Sequence, residues 1–197
     1  MKQIIKDAFE KELKYCYANI FEQFKIWNSN GINEQNLTCN FVNSLKTSLK
    51  DDNAVTCFEV LLQNERSRID AIVLSLKHNA IFFIESKRFK RSQPKYQTSL
   101  KRDIDRILDE TNRKWIIDNV KSSNVLLNQY IICICDHWRF RDSDVKIKDW
   151  FSKFEENSLM ESAEYNNLRN EYMGSFESLE LKDETYMFFI MALKLNY

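Results

Sequence analysis

The chain contains very little glycine and proline. Gly31 and Gly174 are its only glycines and Pro94 is its only proline, in 197 residues. Gly-rich phosphate cradles and dinucleotide-binding fingerprints need several closely spaced glycines, so the nucleotide-binding classes built on them are excluded. The HExxH and GxSxG patterns of zinc proteases and α/β-hydrolases are also missing. Several large enzyme classes are therefore excluded at the outset.

The cysteines follow no metal-binding or disulfide pattern. There are five, with no CxxC spacing, and the odd number argues against a complete disulfide framework: Cys16, Cys39, Cys57, Cys133 and Cys135. We expect small buried apolar residues, with Cys133 and Cys135 packed on one face of a strand. The chain also lacks an 18-residue apolar run and a signal-peptide pattern at its start. We therefore expect a soluble, cytoplasmic protein with no membrane segment.

The charges balance overall but are separated along the chain. Hydrophobic residues make up 44% and charged residues 29%, which is typical of a globular protein, and the formal net charge is zero. Residues 86–106 nevertheless carry a net charge of +6, whereas residues 155–184 carry −7. A polyanion such as DNA would be attracted to the first stretch and repelled by the second.

Hydrophobic periodicity predicts one α/β domain over residues 1–197. Apolar residues at helical spacing predict helices over 4–27, over 34–49 with Asn33 as N-cap, and over a long segment after Pro94. Runs rich in Val, Ile and Phe predict strands over 55–62, 69–76, 80–89 and 125–135. The first three strands suggest an antiparallel meander, and the helix before the fourth allows a parallel pairing.

The remaining segments complete the predicted organisation. We expect a short helix over 145–154 and an acidic helical stretch to about residue 172, and leave the run 186–195 open as strand or helix. In this division, residues 1–33 are an N-terminal helical extension, 34–136 the core, and 137–197 an acidic helical appendage with a possible last strand.

Three charged residues occupy positions where strands normally carry apolar side chains. Glu85 and Lys87 share one face of their strand, because side chains alternate with period two. A two-residue loop at His78 and Asn79 would set Asp70 opposite Lys87 and diagonal to Glu85, roughly 7–8 Å away. A three-residue loop would instead set Asp70 opposite Ser86.

This set of groups suits phosphodiester hydrolysis. Magnesium lowers the pKa of bound water and neutralises phosphoryl oxygens, and it prefers carboxylate, carbonyl and water oxygens. Asp70, Glu85 and the Ser86 carbonyl could supply such ligands. Lys87 could then orient the attacking water and stabilise developing negative charge.

The arrangement resembles the PD-(D/E)XK nuclease superfamily. The resemblance covers residues 34–136 and rests on Ile69-Asp70, on Glu85-Ser86-Lys87 with fourteen residues between the two acids, and on the helix–strand–strand–strand–helix–strand order. It implies a restriction-endonuclease-like fold, with a mixed central sheet of four to five strands flanked by helices. It also implies a DNA endonuclease that uses Mg²⁺, or Mn²⁺ in its place. Ile69 stands where the family has proline.

Many members of this family add a glutamate from the helix before the meander. Glu34 is the best candidate by this resemblance, and Glu10 and Glu22 are alternatives on the first helix. Glu59 is open to two interpretations, a further acid near the metal or a surface partner of Arg68, and we favour the surface role.

The basic residues after Lys87 have a functional and a structural interpretation. Four of them lie where a nucleic-acid backbone would pass and could bind DNA phosphates: Arg88, Lys90, Arg91 and Lys95. The alternative is a solvated helix face, in which Lys101 simply pairs with Asp105. For the site itself, the alternative is an exposed ion pair of Asp70 with Lys87 beside an exposed Glu85.

The leading hypothesis is a metal-dependent DNA endonuclease acting in restriction, phage defence, mobile-element processing or repair. The alternative is a catalytically inactive module on the same fold that binds nucleic acid or a protein. We also consider a homodimer, and a partner protein docked on the acidic stretch 155–184. That stretch could instead shield the basic face until substrate arrives.

Overall fold

The computed structural model describes residues 1–24, 33–63, 66–89, 94–120, 126–140, 172–180 and 184–195. These residues form a mixed sheet of six strands with helices packed on both of its faces. The predicted α/β class is confirmed, and the sheet has six strands where four to five were expected. Within the described residues, no helix is long and apolar enough to cross a membrane.

The helices form two groups along the chain. The N-terminal group contains α1 (Lys2–Asp7), a π-helical segment (Ala8–Leu13), α2 (Lys14–Gln23) and α3 (Glu34–Leu49), and the second group contains α4 (Pro94–Leu108) and α5 (Glu110–Asp118). The side chain of Asn33 accepts the N–H of Asn36 at 2.8 Å, so the predicted N-cap of α3 is confirmed. The long helix expected after Pro94 is broken at Asp109, which caps α5 through the N–H of Thr111.

The strands are β1 (Val55–Leu61), β2 (Arg68–Ser75), β3 (Ala80–Phe89), β4 (Asn128–Phe140), β5 (Tyr172–Glu180) and β6 (Glu184–Leu195). Their order in the sheet is β1-β2-β3-β4-β6-β5. β3 and β4 run parallel, as the intervening helices allow, and the other neighbours are antiparallel. The run left open at 186–195 is therefore a strand, and β6 lies inside the sheet.

Side chains that alternate along the central strands build a core on each face of the sheet. On one face, Phe82, Ile132 and Phe188 pack with the N-terminal helices. On the other face, Phe83 and Phe189 pack with α4 and α5. Because both cores draw on β6, the C-terminal strand is part of the same packed unit as the rest of the sheet.

Some expectations need correction or fall outside the described part of the chain. Cys133 and Cys135 are buried as expected, but Cys39 and Cys57 are exposed, because they lie on the outer face of α3 and on an edge strand. The predicted helix over 145–154 and most of the acidic stretch lie outside the described residues. The end of that stretch forms β5 and the start of β6.

Candidate functional site

The turn between β2 and β3 sets the register of the proposed site residues. It comprises four residues, 76–79, because Ser75 pairs with Ala80 and Leu76 has left the strand. Neither the two-residue nor the three-residue loop is correct. Continued by one position beyond the last pair, Ala71 with Ile84, this register sets Asp70 opposite Glu85 rather than Lys87 or Ser86.

β3 continues past the end of its pairing with β2, and two carboxylates satisfy its free edge. The N–H of Ser86 donates to Asp70 Oδ2 at 2.7 Å, and the N–H of Arg88 donates to Glu34 Oε2 at 2.9 Å. The Ser86 hydroxyl also donates to Asp70 Oδ2, at 2.9 Å, and contacts the hydroxyl of Thr38 on α3. Side chains from β2 and α3 thus replace the missing strand partner, which brings Asp70 and Glu34 to the same segment of β3.

Helix α4 covers the other side of that segment. Arg106 Nη2 lies 2.7 Å from Glu85 Oε1 and 3.4 Å from Asp103 Oδ1. Lys87 Nζ lies 3.0 Å from Asp103 Oδ2 and 3.8 Å from Glu34 Oε1. We call these six residues the edge cluster: Glu34, Asp70, Glu85, Lys87, Asp103 and Arg106.

The edge cluster is partly closed from solvent. The side chains of Glu85 and Asp103 are only 3% and 7% exposed, whereas those of Lys87 and Glu34 are 19% and 41% exposed. Charges that are this buried must be paired or neutralised. The alternative, an exposed ion pair of Asp70 with Lys87 beside an exposed Glu85, is wrong on two points. Lys87 pairs with Asp103 instead of Asp70, and Glu85 is buried.

The acids and bases of the edge cluster perturb one another. Burial, reinforced by the charge of Asp70, raises the pKa of Glu85 to about 9, although Arg106 acts in the opposite direction. Burial also raises the pKa of Glu34, although the hydrogen bond from the Arg88 N–H and the charge of Lys87 act to lower it. For Lys87, burial would lower the pKa, but the charges of Glu34 and Asp103 raise it above its ordinary value. Lys87 is therefore a cation at neutral pH and cannot serve as a base.

The glutamate alternatives can be distinguished by position. Glu34 lies beside Lys87 at the start of α3, whereas Glu10 accepts the hydroxyl of Ser175 on β5 and lies near Lys6. Glu22 is exposed on α2. Of these three glutamates, Glu34 is therefore the one that lies in the edge cluster, where it contacts Lys87.

Glu59 occupies the surface position that we favoured. Its carboxylate lies 3.6 Å from Arg68 Nη1, and both side chains are about half exposed. Glu59 also adopts a positive φ of 52° on the edge strand β1. The geometry supports its role as a surface partner of Arg68.

Several basic residues of the stretch 86–106 form ion pairs inside the protein. Arg88 was expected to face a phosphate backbone, but its side chain is 6% exposed and two donors of its guanidinium, Nε and Nη2, bind Asp136. Asp136 also accepts the Tyr186 hydroxyl at 2.6 Å. Arg88 is therefore removed from the set of phosphate-binding candidates. Lys90 and Arg91 lie outside the described residues, and Lys95 lies in the first turn of α4.

Sequence reasoning treated Asp103 and Arg106 only as charges of the basic stretch. Asp103 lies on the buried face of α4, three residues after Leu100 and four before Ile107, both fully buried. An acid on the apolar stripe of an amphipathic helix was the signal that could have identified it. Arg106 follows Asp103 by three residues on the same helix face and contacts the carboxylates of Asp103 and Glu85.

The edge cluster has an excess of acid and spare acceptor atoms. Four carboxylates against two cations leave a formal charge of −2 when Glu85 is ionised. Among the described residues, Asp70 Oδ1 and Glu85 Oε2 accept no hydrogen bond. The described residues contain no group of three or more His, Cys, Asp or Glu side chains that could hold a metal ion. A cation here would therefore depend on two carboxylates together with backbone carbonyl and water oxygens, a combination that Mg²⁺ accepts.

Comparisons with protein-family models, curated proteins and solved structures find no match to this chain. Functional interpretation therefore depends on the geometry of the edge cluster.

Proposed function

We propose that the protein is a divalent-metal-dependent DNA endonuclease on a restriction-endonuclease-like core of the PD-(D/E)XK type. The observation that carries this proposal is the meeting of Asp70, Glu85, Lys87 and Glu34 at the unpaired edge of β3. The order α3-β1-β2-β3-α4-α5-β4 supports it, since it follows the helix–strand–strand–strand–helix–strand succession of that superfamily except that two helices, α4 and α5, stand in place of one.

The ion would be Mg²⁺, with Mn²⁺ as an alternative, because carboxylate, carbonyl and water oxygens are the ligands it prefers. Asp70, Glu85 and the carbonyl of Ser86 would hold the ion, and Glu34 would be an outer ligand on its solvent side. The nearby charge of Asp70 would favour a cation here, and the cation would replace the proton that burial, together with Asp70, holds on Glu85 by raising its pKa to about 9. When bound, such an ion lowers the pKa of a water molecule and neutralises phosphoryl oxygens.

The other groups of the edge cluster would position the reactants. Asp103 holds Lys87 at 3.0 Å, and the charges of Glu34 and Asp103 together keep the Lys87 amine protonated by raising its pKa against the effect of burial. The Lys87 ammonium would then donate to the attacking water and stabilise charge that develops on the phosphate. The hydrogen bonds from Ser86 to Asp70 and from Arg88 to Glu34 fix the orientation of both carboxylates without a mobile loop.

Substrate affinity would come from the segment that follows β3. After Arg88 is excluded, Lys90, Arg91 and Lys95 remain the candidates for phosphate contact. Contacts of this kind set affinity and salt dependence rather than sequence preference. The proposed activity therefore concerns phosphodiester cleavage and leaves the sequence that is cut unspecified.

A plasmid-nicking assay of the full chain, with and without Mg²⁺, tests this function. We expect Mg²⁺-dependent nicking by the wild type and a loss on the order of a hundredfold in Lys87→Ala. Lys101→Ala is the matched control, because Lys101 is an exposed lysine on α4 whose only described role is a surface pair with Asp105. Equal cleavage by wild type and Lys87→Ala would remove the catalytic assignment.

The inactive binding module makes the opposite prediction in the same experiment. It expects no nicking at any metal concentration, together with salt-sensitive DNA retention that Asp70→Asn leaves unchanged. Asp70 Oδ1 and Glu85 Oε2 favour the metal-dependent enzyme, because both oxygens accept no hydrogen bond from the described residues and are available to a cation.

A further inference from the structure

Arg106 is partly buried, and its contacts differ from those of the buried arginines Arg88 and Arg113. Its Nη2 donates to Glu85 Oε1 at 2.7 Å, yet its Nε is buried and has no hydrogen-bond partner among the described residues. By contrast, Arg88 places two donors on Asp136, and Arg113 binds Gln129 and two backbone carbonyls. Arg106 is thus held through a single nitrogen, Nη2, and the buried Nε–H has no acceptor among the described residues.

A buried donor without an acceptor is unfavourable. The arrangement around Arg106 is therefore better suited to a state in which the guanidinium has a further acceptor. The Arg106 side chain is 21% exposed, so part of it already reaches solvent. A planar donor fork of this kind matches the two free oxygens of a phosphodiester.

Arg106 also lies where its charge would oppose a metal ion, because it binds Oε1 of Glu85 while Oε2 of the same carboxylate is the atom open to the cation. It contacts Glu85 directly, and Glu85 is one of the two carboxylates of the proposed metal site. A divalent cation there would attract the Glu85 carboxylate and repel the guanidinium. Asp103, already 3.4 Å from Arg106, would keep the displaced side chain near the site.

We propose that Arg106 is a phosphate-binding residue that is held by Glu85 in the metal-free protein and released toward the DNA backbone when a divalent cation binds Asp70 and Glu85. This inference rests on the proposed function and adds a residue to it. The metal and the substrate are thereby coupled, because the cation frees the donor that the phosphodiester needs.

Two binding measurements on the full chain test this coupling. Mg²⁺ affinity is measured by titration calorimetry without DNA, and retention of a short DNA duplex is measured in Ca²⁺ and in EDTA. The variants are Arg106→Gln, which removes the charge, and Arg106→Lys, which keeps the charge but loses the fork. Arg102→Gln is the matched control, because Arg102 is exposed on the same helix. Thermal melting verifies that each variant is folded.

We expect Arg106→Gln to bind Mg²⁺ at least about threefold more tightly, since a competing positive charge is removed. The same variant should bind DNA about tenfold more weakly in Ca²⁺ and be unchanged in EDTA, because the fork contacts phosphate only after release. Arg106→Lys should keep wild-type Mg²⁺ affinity and lose part of the DNA affinity. Arg102→Gln should leave the Mg²⁺ affinity and the gain of DNA affinity in Ca²⁺ unchanged.

Three outcomes overturn the inference. Unchanged or weaker Mg²⁺ binding by Arg106→Gln would mean that Arg106 does not compete with the ion. An equal loss of DNA affinity in Ca²⁺ and EDTA would mean that no release takes place. If either of these two results is obtained while the wild type binds and nicks DNA with Mg²⁺, the role of Arg106 is rejected and the proposed function stands. A wild type that neither binds Mg²⁺ nor nicks DNA would overturn the proposed function together with this inference.

Discussion

The backbone N–H of Ser86 donates to Asp70 Oδ2 at 2.7 Å, beyond the last paired residues of β2 and β3. Asp70 therefore has a structural role that is independent of any metal. Its carboxylate completes the hydrogen bonding of a strand edge that would otherwise carry a free donor. The remaining oxygen, Oδ1, is the atom that the proposed function assigns to the cation.

The two roles of Asp70 can be separated by substitution. Asp70→Asn retains an acceptor for Ser86, so we expect the free energy of unfolding to change by less than about 1 kcal/mol, while Asp70→Ala loses about 1–3 kcal/mol. Both variants should lose Mg²⁺-dependent nicking. Urea unfolding and plasmid nicking measure the two effects. Wild-type cleavage by a folded Asp70→Asn protein would show that Asp70 is not a metal ligand.

The stability of the metal-free protein should depend on pH through Glu85. Its folded-state pKa of about 9 lies above the ordinary value of 4.5, so the proton is bound more tightly in the folded state. This contribution to stability is present in full below pH 4.5 and is lost as pH rises toward 9, by at most about 1.4 kcal/mol per pH unit. Glu85→Gln cannot ionise and should lack this slope.

Urea unfolding in EDTA across that pH range measures the difference between wild type and Glu85→Gln. We expect the stability of the wild type relative to the variant to fall steadily with rising pH. Glu59→Gln is the control, because Glu59 is an exposed glutamate with a surface partner. Parallel curves for wild type and Glu85→Gln would contradict the burial of an ionisable group at this position.

Two elements, α3 and β3, were predictable from the sequence to the residue. The helix over 34–49 was predictable because an N-cap residue, Asn33, precedes a regular apolar stripe that includes Phe41 and Leu45. The strand over 80–89 was predictable because it is rich in isoleucine and phenylalanine and directly follows a polar turn. In both cases, the local pattern and the tertiary environment favour the same structure.

Other features depend on partners that are distant in sequence. Arg88 was assigned to DNA because its buried partner, Asp136, lies 48 residues away. The predicted cross-strand partner of Asp70 was wrong because nothing in the sequence shows that Leu76 leaves the strand to form a four-residue turn. The run 186–195 could not be assigned because a continuous apolar stretch suits a buried strand and a buried helix equally.

The place of β6 in the core predicts which phenylalanines matter for stability. Phe188 on β6 is fully buried and its ring lies 5.2 Å from that of Phe9, whereas Phe24 is 66% exposed. We expect Phe188→Ala to lose about 3–5 kcal/mol of unfolding free energy and Phe24→Ala to change it by at most about 0.5 kcal/mol. Urea unfolding compares them. Equal losses would contradict the packing of β6 into the sheet.

The buried pair of Arg88 and Asp136 allows a test of whether Arg88 serves stability or DNA binding. Arg88→Ala leaves a fully buried carboxylate without its counter-ion, which should lower the unfolding free energy by about 3–5 kcal/mol. Arg68→Ala is the matched control, because its pair with Glu59 is exposed and should contribute at most about 1 kcal/mol. Urea unfolding measures both losses.

Replacing both partners of this pair separates stability from DNA binding. Arg88→Met combined with Asp136→Leu removes both charges with side chains of similar bulk, so we expect much of the stability lost in Arg88→Ala to return. Because Arg88 has no part in the proposed phosphate contacts, the folded double variant should retain DNA with wild-type affinity. A loss of affinity in that protein, at unchanged melting temperature, would return Arg88 to the DNA-binding set and imply that the guanidinium leaves Asp136 when DNA binds.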